Sequence, residues 1–212
     1  VPGKGVRSVA LDTLFVRGEP VGLQVRATRG RVTAVVEQHI AAGAPASGTD
    51  WQVPSHPPAQ ELVVPGIPPG PGTRSLVLTN PGKLRTTATI EVLGQDGTFA
   101  PVDASSVDVN AESTAAVSLH PGLDGEPGAV RVRADQPLVA AVVSHSAEGP
   151  QADIAIQPAA STLSATSIGA VAAVEDVRGT LLVTNAGSEV VRVPAVVVDT
   201  DGDESLRTDL EV

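Results

Sequence analysis

The imidazoles of the chain are His39, His56, His120 and His145, the first choice for proton transfer or for holding a transition metal. Their spacing serves neither role. No two stand at the i, i+2 or i, i+4 separation that would put a ligand pair on one face of a strand or helix, so they read as surface or rim residues. Ser144-His145-Ser146 sets hydroxyls beside an imidazole, but neighbours along a strand point to opposite faces. The chain also lacks a G-x-S-x-G turn to raise a nucleophile. Asp199, Asp201, Asp203 and Glu204 have the one-three-five acid spacing of a calcium loop, which would offer hard oxygen ligands. The rest of that loop is missing, because Gly202 comes fourth rather than sixth and Leu210 stands at the twelfth position. A D-G hairpin turn with solvated acids accounts for it. Gly70-Pro71-Gly72 lacks the further glycines and the Lys of a phosphate cradle and fits linker chemistry.

What remains is Trp51 with Asp50. An indole face can stack on a sugar ring or a protein side chain, so Trp51 and Asp50 are the candidate ligand contacts; the alternative is that Trp51 fills a gap beneath a loop. No catalytic, cofactor-binding or metal-ligating residue is expected, and no cofactor.

Composition narrows the partners. A net charge of −10 and a pI near 4.7 repel phosphate backbones and anionic lipid, which argues against nucleic acid and membrane surfaces. With no Cys, disulfides and thiolate metal sites are excluded. The longest apolar run, 168–174, is far below the roughly 18 residues that span a bilayer as a helix, so no membrane insertion is expected. The chain opens on Val1 and contains no Met, which points to a processed chain or a segment of a longer one, with any signal peptide or anchor outside it. Phe15, Phe99 and Trp51 are the aromatics, so packing must come from Val, Leu and Ala.

The elements that must position these residues are set by an internal repeat. Gly18 to Val36, GEPVGLQVRATRGRVTAVV, returns as Gly125 to Val143, GEPGAVRVRADQPLVAAVV, with ten of nineteen positions identical at an offset of 107. LVLTNPG at 76–82 returns as LLVTNAG at 181–187, and Asp96-Gly97 as Asp201-Gly202, at an offset of 105. Short alternating runs punctuated by Gly, Pro, Asn and Asp predict strands throughout. They fall at 6–11, 22–27, 31–40, 61–64, 74–79, 86–93, near Phe99, and at 107–109, 115–119, 129–134, 138–144, 154–156 and 163–168. Residues 22–27 and 31–40 read as a hairpin turning at Arg29-Gly30, and 65–72, PGIPPGPG, as a linker. The only helix candidate is 168–177, and its β-branched content argues against it.

The fold class predicted is all-β, two Ig-like β-sandwich repeats of about 105 residues. Two domain divisions follow. In the first, 74–177 is a contiguous domain and 1–73 plus 178–212 form a discontinuous one, completed by both termini. The alternative is plain tandem order, 1–107 then 108–212. In either case Val25, Val32 and Val35 are expected to be buried like Val132, Val139 and Val142, since a two-residue period fixes the face.

LVLTNPG, ATIEVLGQDGTFAP, AVSL, GEPGAVRVRA followed by VAAVVS, and the Asp50-Trp51 stretch before VVPG together resemble DUF5719, an actinobacterial family of secreted proteins of unknown function. The resemblance covers most of the chain. It implies an extracytoplasmic location, secreted or associated with the cell envelope, with a protein partner or envelope component, and it brings no catalytic residues. The function expected is therefore non-enzymatic, a structural or protein-interaction module of the bacterial cell envelope. The alternative is a module binding an envelope glycan through Trp51 and the cleft between the repeats.

Overall fold

Alternating Val, Ala, Leu and Thr with few helix formers leave the chain one way to satisfy its backbone, which is ladders between strands. The computed structural model describes residues 5–14, 18–39, 48–119, 123, 125–146, 153–161, 169, 179–199 and 201–212. Its elements are β-strands, and the fold is all-β with antiparallel sheets. They are β1 (Val36–His39), β2 (Thr49–Gln52), β3 (Ala59–Ile67), β4 (Thr73–Asn80), β5 (Thr86–Gly94) and β6 (Gly97–Phe99). β7 (Ser106–Val109), β8 (Ser113–Ser118), β9 (Gly128–Ser146), β10 (Asp153–Pro158), β11 (Arg192–Val198) and β12 (Glu204–Glu211) follow. His120, the strand expected at 163–168 and, apart from Gly169, the helix candidate at 168–177 lie outside the described residues.

β9 organises the body. Its first half lies between β3 and β5, with Val132 facing Leu62 on one side and Ile90 on the other. Its second half lies between β4 and β10, with Val142 facing Leu76 and Gln157. β8 extends the β4 side, and β6 and β7 extend the β5 side. The two halves form two layers whose inward side chains meet in one cluster. Leu62, Val64 and Ile67 of β3, Leu76 and Leu78 of β4, and Ile90 and Val92 of β5 join Val130, Val132, Leu138 and Val142 of β9 there. This body takes its first strand, β3, from ahead of Arg74.

Sequence reading divides β9 into two strands, 129–134 and 138–144. The strand instead runs through, changing ladder partners at that point. Pro137, which has no N–H to donate, sits where the partners change. The Gln136 N–H is taken by the hydroxyl of buried Thr86, 2.9 Å away, and the Asp135 carbonyl accepts from Gln60 Nε2 at 2.6 Å.

Asn80, fully buried, closes the β4–β5 turn. Its Nδ2 donates to the carbonyls of Leu84, Val109 and Asn110 at 2.8, 3.2 and 3.0 Å, and its Oδ1 accepts from the Gly82 N–H at 2.9 Å. Beyond the turn, Thr87 Oγ1 donates to Asp108 at 2.7 Å and Arg85 pairs with the same carboxylate. The Thr87 hydroxyl first, and the Arg85 guanidinium after it, hold the Asp108 carboxyl below its ordinary range.

Two expectations for the N-terminal part are corrected. The strand at 6–11 is not formed, and the hairpin of 22–27 with 31–40 is replaced by a different one, in which β1 pairs with β2. Val25, Val32 and Val35 are 57%, 54% and 51% exposed, and Val139, at odd parity on β9, is only half-buried, whereas Val132 and Val142 are fully buried. The physical reason is the ladder: among the described residues 18–35 have no strand partner, so no neighbour covers their apolar face.

Chemical denaturation of single variants tests this map. Val132→Ala is expected to cost about 1–3 kcal/mol through lost burial and a cavity, and Val25→Ala less than about 0.5 kcal/mol. Equal effects would mean that the burial pattern is wrong. Asn80→Ala should cost about 1–3 kcal/mol, since it strands buried carbonyls. For Asp108, a carboxyl whose folded pKa is depressed adds stability above its unfolded pKa and loses it as pH falls through the folded value. Asp108→Asn is therefore expected to flatten the acid limb of the stability curve by a small amount, because the pair is exposed, and to leave neutral stability nearly unchanged.

Candidate functional site

β2 carries the two candidate ligand contacts, and its sequence, Thr-Asp-Trp-Gln, alternates so that Asp50 and Trp51 point to opposite sides. β1 and β2 form a two-stranded ribbon in which Trp51 faces Glu37 and Asp50 faces Gln38. The ribbon lies against β10. Gly48 is buried there, and an added Cβ would stand 2.8 Å from the Asp153 backbone, a contact only glycine permits.

The Asp50 carboxylate is occupied on both oxygens. Oδ1 accepts from the Trp51 N–H at 2.8 Å, and Oδ2 accepts from the Ile156 N–H of β10 at 2.5 Å. A charge-assisted bond to a backbone donor on a sheet edge protects that edge from a foreign strand. The geometry does not make Asp50 a free acid or base. Trp51 is 57% exposed, so it is not a plug under a loop. The structure thus separates the pair: Asp50 fastens the ribbon, and Trp51 presents its indole to solvent. Asp153 repeats the local geometry, its Oδ1 accepting the Ile154 N–H at 2.9 Å, with Ile154 standing where Trp51 stands.

The other sequence candidates resolve into structural contacts. Ser144 Oγ donates to Gln157 Oε1 at 3.4 Å, while His145 lies between Thr73 and Ile154 in the ladders. His56 Nδ1 is 2.7 Å from the Pro57 carbonyl. In the acidic loop, Asp199 Oδ1 accepts the N–H groups of Asp201 and Asp203, each at 3.0 Å, and Gly202 has φ +89°. That is a hairpin turn held by one carboxylate. Among the described residues no three His, Asp or Glu side chains are grouped to hold a metal.

Sequence reasoning missed the role of Arg74. It is 3% exposed, and its guanidinium donates to the Pro68 carbonyl from Nε at 3.3 Å and from Nη2 at 3.0 Å, and from Nη2 also to the Gly70 carbonyl. The arginine thereby fastens the Pro-rich crossover, and Gly72, at φ +117°, is pressed onto the His145 carbonyl. The signal was present in the sequence: an Arg two residues beyond PGIPPGPG meets a run of carbonyls that lack the N–H partners a normal ladder supplies. An open concavity of about 550 Å³ lies at the other end of the body, lined by Gln24, Pro81, Lys83, Leu84, Gln136 and Pro137. It offers one cation and two amides and no group suited to bond cleavage.

Among the described residues no helix is long and apolar enough to cross a membrane. No curated protein matches the chain. Two solved structures are similar to part of it. The crystal structure of Thermotoga maritima 1070 is 14% identical, covers 49% of this chain and 94% of its own length, and gives a TM-score of 0.41. The Anabaena sensory rhodopsin transducer is 19% identical, covers 39% of this chain and 94% of its own, and gives a TM-score of 0.32. The strand and turn motifs that run from the first repeat to the last are matched as a whole by one family model, over residues 1–212, and the chain belongs to the family of unknown function DUF5719.

Proposed function

We propose that the chain is a non-catalytic, extracytoplasmic module of the bacterial cell envelope, built of Ig-like β units and working as a spacer or protein-interaction surface. One observation carries the reading: the polar side chains best suited to chemistry are engaged by backbone. Asp50 and Asp199 accept backbone N–H groups, and Asn80 and Arg74 donate to backbone carbonyls. An acidic chain of this kind has no attraction to nucleic acid, and its partner is a protein or another envelope component. A second reading, binding of an envelope glycan, is favoured by the exposed indole of Trp51.

Cell fractionation with an antibody against the chain tests the location. Recovery in the envelope or the culture fluid is expected, and recovery in the cytosol would count against the proposal. Trp51 is the sole tryptophan, so intrinsic fluorescence reads that position alone. Solubilised envelope glycan should leave its emission unchanged; a saturable shift would favour the glycan reading instead. Asp50→Ala should raise the exchange rate of the Ile156 amide by about tenfold or more, the loss of roughly 1.4 kcal/mol of local protection. An unchanged rate would mean that Asp50 does not fasten β10.

A further inference from the structure

Gln24 and Arg131 occupy one position of the repeat, and Pro81 and Ala186 occupy another. The first two belong to the β9-type stretch; the second two follow the asparagine in the turns Asn80-Pro81-Gly82 and Asn185-Ala186-Gly187. The structure brings them together in chain order. Arg131 Nη1 donates to the Ala186 carbonyl at 2.7 Å, and Gln24 lines the open concavity together with Pro81 and Gly82. Beside the second contact Gly22 is pressed onto Thr79, where an added Cβ would meet Cγ2 at 2.3 Å. Beside the first, a Cβ on Gly66 would stand 3.9 Å from Leu182 Cδ1. Two successive seats thus use equivalent residues, which an accidental contact would not repeat.

Arg131 stands between buried Val130 and Val132, so its side chain points out of the sheet, yet it is only 16% exposed. Its Nε donates to Oε2 of Glu91, its ladder neighbour on β5, at 2.6 Å. Glu91 thus holds one side of the planar guanidinium while the Ala186 carbonyl accepts from the other, which fixes a direction as well as a distance. The turn that receives it is braced. Asn185 Nδ2 donates to the carbonyls of Glu189 and Val212 at 2.7 and 2.8 Å, and its Oδ1 accepts the Gly187 N–H at 2.9 Å. Val191 and Val212 exchange backbone bonds just beyond, so the turn carries the β11–β12 hairpin with it. Asn80 braces the other turn in the same way, through Leu84, Val109 and Gly82.

We propose that consecutive units of the repeat are joined through this one seat, the outward side chain of a β9-type stretch against the Asn-x-Gly turn of the next unit, and that Arg131 locks the joint between the β3–β10 body and the β11–β12 hairpin at a fixed angle. At the earlier joint a glutamine replaces the arginine, and its shorter, neutral side chain leaves that seat to the packing of Gly22 on Thr79. A joint of fixed angle is what the spacer reading needs. It rests on that reading for its use alone, since cell fractionation and the distances below can fail independently.

The chain has no cysteine, so introduced thiols carry labels only where they are placed. Spin labels at Ala116→Cys on the body and Thr208→Cys on the hairpin, both exposed positions, should give a single narrow distance distribution in the full chain. Arg131→Ala, and Arg131→Gln as a copy of the earlier joint, should each lose the narrow peak to a broad one, with the melting transition of the body unchanged. Arg133→Ala removes the neighbouring cation that pairs with Glu61 and Glu91 and should leave the peak narrow. A broad distribution with Arg131 intact, a narrow one in either Arg131 variant, or equal broadening by Arg133→Ala would overturn the lock. A short bis-maleimide should bridge Gln24→Cys to Pro81→Cys, and Arg131→Cys to Ala186→Cys, each within a single chain. Bridging at only one of the two seats would overturn their recurrence.

Discussion

The structure depends on one constraint, that β9 keeps a single inward parity while serving two sheets. Val130 and Val132 face the core in the first half and Leu138, Ala140 and Val142 in the second, all on even positions. A one-residue slip in either half would turn that set to solvent and bring Arg131 and Arg133 inward. The register is held at the crossing, where Gln60 and Thr86 take up the Asp135 carbonyl and the Gln136 N–H. Every other strand of the body is placed by its pairing with β9 or with a strand that β9 has placed.

A core of Val, Leu, Ile and Ala, with Phe99 packed only at its margin, has little to spare, so the ends of strands must be secured by other means. The chain does this with single polar side chains aimed at backbone. Asn80 gathers three carbonyls, Arg74 holds the Pro-rich crossover, and Asp50 ties the ribbon to the edge of β10. A buried amide or guanidinium is favourable only when its donors are met, and Asn80 and Arg74 meet theirs with backbone carbonyls. The outer face of the β5 side carries Glu61, Glu91, Arg131 and Arg133 in a chain of ion pairs, which adds solubility more than stability.

Much of this was legible in the residues. The period of two, the Asn-Pro-Gly and Asp-Gly turns and the absence of helical runs located β4 to β8, the middle of β3 and the all-β class. Pro65 to Ile67, expected as linker, instead continue β3, because Ile67 is buried opposite Gly128. The Asp199 loop could be recognised as a turn because a calcium loop needs a Gly and a Glu at positions where this chain has others. The continuity of β9 was not legible, since Pro137 breaks strands unless the ladder changes partner there, and that is a fact about β3 and β4, not about β9. Nor was the role of Asp50, because its acceptor sites are filled by a donor from residue 156, far away in sequence. Trp51 was legible as a single surface-capable aromatic but not as an exposed one.

The N-terminal repeat carries the sharper lesson. Residues 18–36 share ten of nineteen positions with 125–143, yet only the second copy forms the long strand. Intrinsic preference is nearly the same for both, so preference does not decide. The second copy is paired on both edges, by β3 and β5 and then by β4 and β10, whereas among the described residues 18–35 take part in no ladder. A strand of Val and Ala gains its stability from side chains stacked by neighbours on a sheet, and without them the same residues remain an exposed apolar stripe. The same sequence thus gives a buried strand or an exposed stripe according to the neighbours that reach it, and the local pattern alone does not choose between them.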